Sequence, residues 1–336
     1  MKAEYFRGST NMKQQCIVPR LGMAIAGMVV CGAVCAQAYP VKPVRVIVPY
    51  PPGQATDVIA RLVSQKVGDN LGRTFPVENR AGAGGIIGVE AVARAAPDGY
   101  TLLATASGPM AINPSLYAKL PYDPIKDFDP IALLGLIPLV LVANDALPVT
   151  SIKSLVALAK ARPGEITYAS SGPGTAQHLA VELLRAKTGI NILHIPYKGS
   201  GPAISDLIGG QVALMFDTVA SALPQIRAKK VKPLAVSMNR RSVVLPDVST
   251  MDEAGVKGFE AFGWSALLAP AGSPKDIVQK LSAETLKVLN QPDLKERVVT
   301  LGFEPSALNP DELTSFMKAE IAKWGQAVKL ANIRLE

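Results

Sequence analysis

The chain has 336 residues, a formal net charge of +8 and three cysteines, Cys16, Cys31 and Cys35. Its basic residues are dispersed, with no Lys/Arg block interleaved with aromatics, which excludes the usual electrostatic footprint of a nucleic-acid binder. All three cysteines lie in the first 38 residues, so the rest of the chain carries no disulfide, thiol nucleophile or cysteine-based metal site.

The first segment reads as a secretory signal. Lys13 and Arg20 precede a 16-residue uncharged run, 21–36, and Ala36-Gln37-Ala38 is a cleavage signal before Tyr39. The run is shorter than the roughly 20 apolar residues that span a bilayer. Met12 also serves as a plausible start for such a signal. Val30 and Val34 stand where a lipoprotein signal wants a small residue, so no lipid anchor is expected. Removing 1–38 takes away four basic and one acidic residue and leaves a net charge of about +5 over 298 residues. That length predicts two domains, and a mildly basic surface suits an anionic ligand.

From Tyr39 onward, short β-branched runs alternate with amphipathic runs, the pattern of a largely parallel α/β protein. Residues 44–49 predict a strand, broken by Pro51-Pro52-Gly53. Val58, Ile59, Leu62, Val63 and Val67 follow at helical spacing. A strand at 75–78, a glycine-rich turn at 82–88 leading into a helix at 89–95, and a strand at 101–105 come next. The apolar runs 131–134 and 139–143 flank Pro138, and the second is expected to carry the first crossing between domains. Then come a helix at 151–161, a strand at 166–170, a helix at 175–187 and strands at 192–195, 212–216 and 232–236. Helices at 202–207 and 220–228 follow the first two of these strands. A return strand at 265–269 precedes two helix starts, Ser273-Pro274-Lys275-Asp276 and Asn309-Pro310-Asp311-Glu312. Each offers a capping side chain, proline at the first helical position and an early acid. The last helix places Leu313, Phe316, Met317, Ile321, Trp324 and Val328 on one packing stripe.

Catalytic patterns are missing. Beyond the signal there are two histidines, His178 and His194, both read as structural. There is no metal-ligand spacing, no G-x-S-x-G elbow and no Walker A motif, so no metal and no cofactor is expected. In Gly82-Ala83-Gly84-Gly85-Ile86-Ile87-Gly88 the third glycine of a dinucleotide loop falls on Ile87, and the segment reads as a tight strand-to-helix turn.

Four loops share one design instead. Each follows a strand and is built of small or hydroxyl residues: 51–57 with Gln54, Ala55, Thr56 and Asp57; 105–108 with Thr105, Ala106 and Ser107; 170–175 with Ser170, Gly174 and Thr175; and 216–218 with Asp217. Helix N-termini carry unpaired N–H groups and a positive dipole end, and small side chains let an anion reach them. Thr56, Asp57 and Thr175 are equally ordinary capping residues, and Asp217 equally caps the helix after it. Together, with no catalytic group beside them, the loops predict a binding cleft. A ligand carboxylate is expected on the amides of Gly174 and Thr175, with Ser170 and residues 54–57 on either side.

The chain resembles the substrate-binding proteins of tripartite tricarboxylate transporters, the Bug receptors, over essentially all of 39–336. The resemblance rests on Tyr39-Pro40-x-Lys42-Pro43-Val44-Arg45, on Val77-Glu78-Asn79-Arg80-Ala81-Gly82 and on Ala96-Pro97-Asp98-Gly99-Tyr100. Farther on it rests on Ile112-Asn113-Pro114-Ser115-Leu116-Tyr117 and His194-Ile195-Pro196-Tyr197-Lys198-Gly199. It implies a type II periplasmic-binding-protein fold, two α/β lobes joined by two crossing strands: 39–141 plus 262–336 as lobe one and 142–261 as lobe two. It also implies a monomeric periplasmic receptor, not an enzyme, that captures a small carboxylate and delivers it to large and small membrane subunits. A sensor subunit presenting the same ligand to a signalling partner is the alternative, and a secreted hydrolase a third. Gln54 departs from the family pattern, which usually has glycine there.

Overall fold

The computed structural model describes residues 39–331; the expected signal, 1–38, lies outside the described residues. The first half-sheet is built from β1 (Arg45–Val48), β2 (Val77–Asn79) and β3 (Thr101–Ala106), all parallel. Helices α1 (Ala55–Leu71) and α2 (Ile86–Ala93) connect them. Alternate residues of β1 feed opposite cores. Val44, Val46 and Val48 pack with Ile59, Val63 and Val67 of α1, while Ile47 packs with Val89 and Val92 of α2. This two-sided burial is why the first strand reads as a continuous β-branched run.

After a widened helical turn (Gly108–Ile112) and the single-turn α3 (Asn113–Leu116), the chain enters β4 (Phe128–Ala143). The two apolar runs around Pro138 are one 16-residue strand. Its first part pairs antiparallel with β9 (Phe262–Pro270), as far as Pro138 opposite Phe262. From Leu139 to Ala143 it pairs with β7 (Leu214–Thr218) and, from Val140, with β8 (Lys232–Val236) on its other edge. Pro138 has no N–H to contribute to a ladder, and it stands where the strand changes partners. The next N–H, of Leu139, is taken by Ser237 Oγ at 3.1 Å.

The second half-sheet adds β5 (Thr167–Ser170) and β6 (Leu193–Pro196), parallel to each other and to β7. It carries α4 (Ile152–Ala161), α5 (Ala176–Thr188), α6 (Ser200–Ile208) and α7 (Val219–Arg227). The path through the strands is β2-β1-β3-β9-β4-β7-β5-β6, with β8 beside β4. The return from β8 runs through Ala261, whose N–H donates to Ser237 O at 3.1 Å, and then into β9 between β3 and β4. Helices α8 (Lys275–Leu289), α9 (Pro292–Thr300) and α10 (Pro310–Ala331) complete the chain.

In α10 the expected stripe is packed: Leu313, Met317, Trp324 and Val328 are buried, and Phe316 and Ile321 lie against the same core. Its start is capped as expected. Asn309 Oδ1 accepts from Asp311 and Glu312 N–H, and Glu312 Oε2 accepts from Asn309 N–H. The start of α8 differs from expectation. Pro274, not Ser273, is the capping residue, and the Ser273 hydroxyl donates back to Pro270 O at 2.8 Å. Asp129 Oδ2 accepts from Ser273 N–H at 3.0 Å. The glycine run is the expected turn. It forms a 3-10 turn, Ala83–Gly85, and then enters α2, where a Cβ on Gly88 would sit 2.7 Å from Arg80 O and 2.8 Å from Pro49 Cα. Among the described residues no helix is long and apolar enough to cross a membrane, and no three His, Cys, Asp or Glu are grouped to hold a metal ion.

Candidate functional site

Because β1 and β3 are parallel, their carboxyl ends open on one edge of the first half-sheet; β5, β6 and β7 do the same in the second. These ends meet in a small cavity of about 40 Å³, floored by Ile137 and Leu139 where β4 changes partners. Ligands of open α/β sheets bind at such edges. Gln54, Ala55 and Thr56 enter it from the start of α1, Ala106, Ser107 and Gly108 from the end of β3, and Ser171, Thr175, Ala176 and Gln177 from the start of α5. Ser200 and Thr218 add the starts of α6 and α7. Among the described residues no charged side chain lines it, and the helix starts bring their positive dipole ends to it.

The first helix end is fixed by Asp57, in the first turn of α1. Its carboxylate accepts from Gly53 N–H (2.9 Å), Arg61 Nε (2.9 Å) and Asn79 Nδ2 (2.8 Å). Burial pushes this carboxyl up, but the bonds from Arg61, Gly53 and Asn79 outweigh it and hold it below the ordinary range. Asp57 is thus spent on the turn and does not line the cavity. The amides of Ala55 and Thr56 have no acceptor among the described residues, and both residues line the cavity.

At α5 the Thr175 hydroxyl donates to Gly172 O (2.7 Å) and accepts from His178 N–H (3.4 Å). The expected donors, Gly174 and Thr175, have internal partners. Gly174 N–H meets His178 Nδ1 at 3.4 Å, and Thr175 N–H meets Gly172 O at 3.4 Å. The amides without a protein acceptor are the next two, Ala176 and Gln177, and both residues line the cavity. Gly174 is left-handed (φ +75°), and a Cβ there would lie 2.6 Å from Asn113 Oδ1 on α3.

The other expected residues lie behind this surface. Ser170 Oγ is 2.7 Å from His194 Nε2 and accepts from Gly172 N–H. Its neighbour Ser171 takes the cavity side, with a buried hydroxyl that has no partner. Thr105 Oγ1 is likewise buried without a partner, outside the cavity lining. Asp217 is fully buried in β7. Its Oδ1 accepts from Ser200 Oγ (2.7 Å) and Thr218 N–H (2.8 Å), while Oδ2 has no partner. Burial pushes its carboxyl above the ordinary range despite these bonds. It orients Ser200 and Thr218 from the rear. His194 stacks between Tyr168 and His178, with ring centroids 4.7 and 4.3 Å away, and neither histidine lines the cavity. Burial, with His194 and Arg185 nearby, holds His178 down to about 3, so it is neutral and serves as the Gly174 acceptor.

The sequence reasoning did not reach Tyr50, Ala176, Gln177, Ser200 or Gly263, and it placed Ser171 and Thr218 in candidate loops without singling them out as lining residues. Ser171 was available from the alternation of side chains along a strand leaving Ser170. Tyr50 and Gly263 carry no such signal, since only the fold brings them to the edge.

Beyond Gln54 the cavity adjoins a larger groove of about 640 Å³ between the same loops. A separate surface groove of about 780 Å³ runs along α1 and β2, past Arg61, Arg73 and Phe75, and shares no residue with either.

Comparison with known proteins identifies the family. The profile of the family described as Tripartite tricarboxylate transporter family receptor matches residues 59–333. Protein BugT of Bordetella pertussis is 39% identical over 317 residues, 94% of this chain and 97% of its own. The structure of Rpa4515 of R. palustris with adipate superposes with a TM-score of 0.86 at 35% identity, covering 88% of this chain and 99% of that one. MatC of Rhodopseudomonas palustris with bound malate gives 0.80 at 35% identity, covering 86% and 100%. The fold is the type II periplasmic-binding-protein fold, two α/β lobes joined by crossing strands. The chain belongs to the tripartite tricarboxylate transporter family of receptors.

Proposed function

We propose that the chain is an exported, monomeric periplasmic receptor that captures a small carboxylate and delivers it to a tripartite tricarboxylate-type transporter with a large and a small membrane subunit. The lobes are 39–141 plus 262–336 and 142–261, and they close over the ligand by hinge bending. The ligand's carboxylate is held by the amides of Ala55, Thr56, Ala176 and Gln177, with Ser107, Ser171 and Thr175 beside it. It binds and is released unchanged.

The observation that carries this reading is the pair of opposed helix starts. Those of α1 and α5 bring amides without internal acceptors to one cavity that no charged side chain lines. Two positive dipole ends on an uncharged, largely buried site favour an anion, and pre-set amides lose little entropy on binding. The relatives with adipate and malate fit the same chemistry.

The test is differential scanning fluorimetry of the purified protein against malate, adipate, citrate and aromatic carboxylates, followed by calorimetry on the hits. A ligand that binds only the folded state raises the melting temperature. A rise with a carboxylate and none with the matching amide supports the reading; no carboxylate response refutes it. Deleting the gene and measuring uptake of the bound carboxylate separates transport from signalling, because a sensor subunit leaves uptake of added ligand intact.

A further inference from the structure

We propose that Gln54 and Ser171 form a collar that selects an elongated ligand: a carboxylate head, a hydrogen-bonding neck and an apolar body. This rests on the receptor reading above and names the ligand class of that same cleft.

Size comes first. The inner cavity, about 40 Å³, has room for a few water-sized groups, each needing roughly 10–15 Å³. It takes a carboxylate head and little else. The adjoining groove, about 640 Å³, is the size of an ordinary small-molecule site. Tyr50, Gln54, Ser171 and Thr175 line both spaces and so ring the passage between them. A ligand with its head on the helix starts must run its remaining atoms through this ring.

Two hydrogen-bonding side chains of the ring, beside the Tyr50 hydroxyl, have no partner among the described residues and come from opposite sides of the cleft. Ser171 Oγ is buried without a partner. The half-buried Gln54 carboxamide reaches from the start of α1 to the β6–α6 loop. There a Cβ on Gly199 would lie 3.0 Å from its Nε2, and φ at Gly199 is +121°. Leaving a buried hydroxyl unpaired is unfavourable, so the ring suits a ligand with a donor or acceptor next to its head. Beyond it the walls turn apolar: Pro49, Pro51, Pro173, Tyr117 and Tyr197, with Lys198 as the groove's only charged side chain. Such walls suit an aryl or alkyl body and do not compensate the desolvation of a second and third carboxylate.

Calorimetry with four probes tests this: hippurate, which has head, amide neck and phenyl body; 4-phenylbutyrate, which keeps head and body without the amide; and the compact malate and citrate. Hippurate is expected to bind at least ~10-fold tighter than 4-phenylbutyrate, the scale set by unpaired polar groups in a site built to hydrogen-bond. Both are expected to bind tighter than malate and citrate. In Gln54→Gly and in Ser171→Ala, each checked by circular dichroism for an unchanged fold, the hippurate preference over 4-phenylbutyrate is expected to fall to ~1–3-fold. Malate or citrate binding tighter than hippurate overturns the collar and leaves the carboxylate receptor standing. So does a hippurate preference indifferent to both substitutions. Failure of all four probes and of adipate overturns both.

Discussion

Gly174→Ala tests whether the two lobes meet as a precise contact. Gly174 has φ +75°, and a Cβ there would sit 2.6 Å from Asn113 Oδ1. Two costs follow, and they separate experimentally. The left-handed backbone costs alanine ~1–2 kcal/mol wherever the loop is folded, with the lobes open or closed. The clash arises where the β5–α5 loop meets α3, so under the proposed hinge closure it is felt only in the closed arrangement. Asn113 is fully buried and donates to Gly84 O at 3.3 Å. Displacing it loses that bond, ~1 kcal/mol, and strains close packing by up to a similar ~1 kcal/mol. The clash therefore weakens binding by ~1–2 kcal/mol, about 5–30-fold. Urea unfolding without ligand reads the first cost. Calorimetry with the tightest binder among malate, adipate, citrate and hippurate reads the second. Asn113→Ala in the Gly174→Ala background removes the obstacle, so affinity recovers while the backbone cost remains, a coupling that a double-mutant cycle isolates. Unchanged affinity in Gly174→Ala, or no recovery in the double variant, refutes the reasoning.

Three further outcomes are expected. Glu320→Ala strands two buried indole N–H groups, since Trp264 and Trp324 both donate to Glu320 Oε2 at 3.0 Å; at ~1–3 kcal/mol each, urea unfolding should record a loss of ~2–6 kcal/mol. His178 is held neutral down to about 3 against an ordinary 6.5, so its burial contributes stability that is present above 6.5 and lost as pH falls toward 3. In that window His178→Gln should reduce the slope of unfolding free energy against pH by ~1.4 kcal/mol per unit, one proton's worth. Asp57, held below its ordinary 3.8, contributes stability that is present above that value and lost as pH falls through its lower folded value. Asp57→Asn should flatten the acid limb below 3.8 in pH-dependent unfolding.

Much of the fold was legible because burial on both faces of the strands and one-sided burial of the helices leave different periods. The runs at 44–49 and 101–105 and the last helix are examples. Pro138 hid β4, since a proline normally ends a strand; only the change of partner at that residue makes it tolerable. Helix α9 was missed although Gln291-Pro292-Asp293 repeats the signal read at Pro274 and Pro310. At the cavity, loops that the sequence singled out do come together, but sequence could not say which atoms in them were already used. Asp57, Ser170, Gly174 and Asp217 are the polar or small residues that the pattern highlights, and the fold spends them on turns and on the rear of the cavity. The open groups sit one to three residues away, at Ser171, Ala176 and Gln177, because hydrogen-bond satisfaction within a loop is a three-dimensional property. Gln54 was conspicuous as a departure from a family pattern, but its reach to Gly199 was visible only once the two half-sheets faced each other.

The central claim is that a carboxylate is held between the starts of α1 and α5. A crystal structure of the protein with its tightest carboxylate tests it most directly. The account predicts carboxylate oxygens within ~3 Å of the Ala176 or Gln177 amide on one side and of the Ala55 or Thr56 amide on the other, with the rest of the ligand passing between Gln54 and Ser171. A carboxylate bound elsewhere, for instance beside Arg61 and Arg73 in the groove along α1 and β2, with those four amides facing only water, would contradict it.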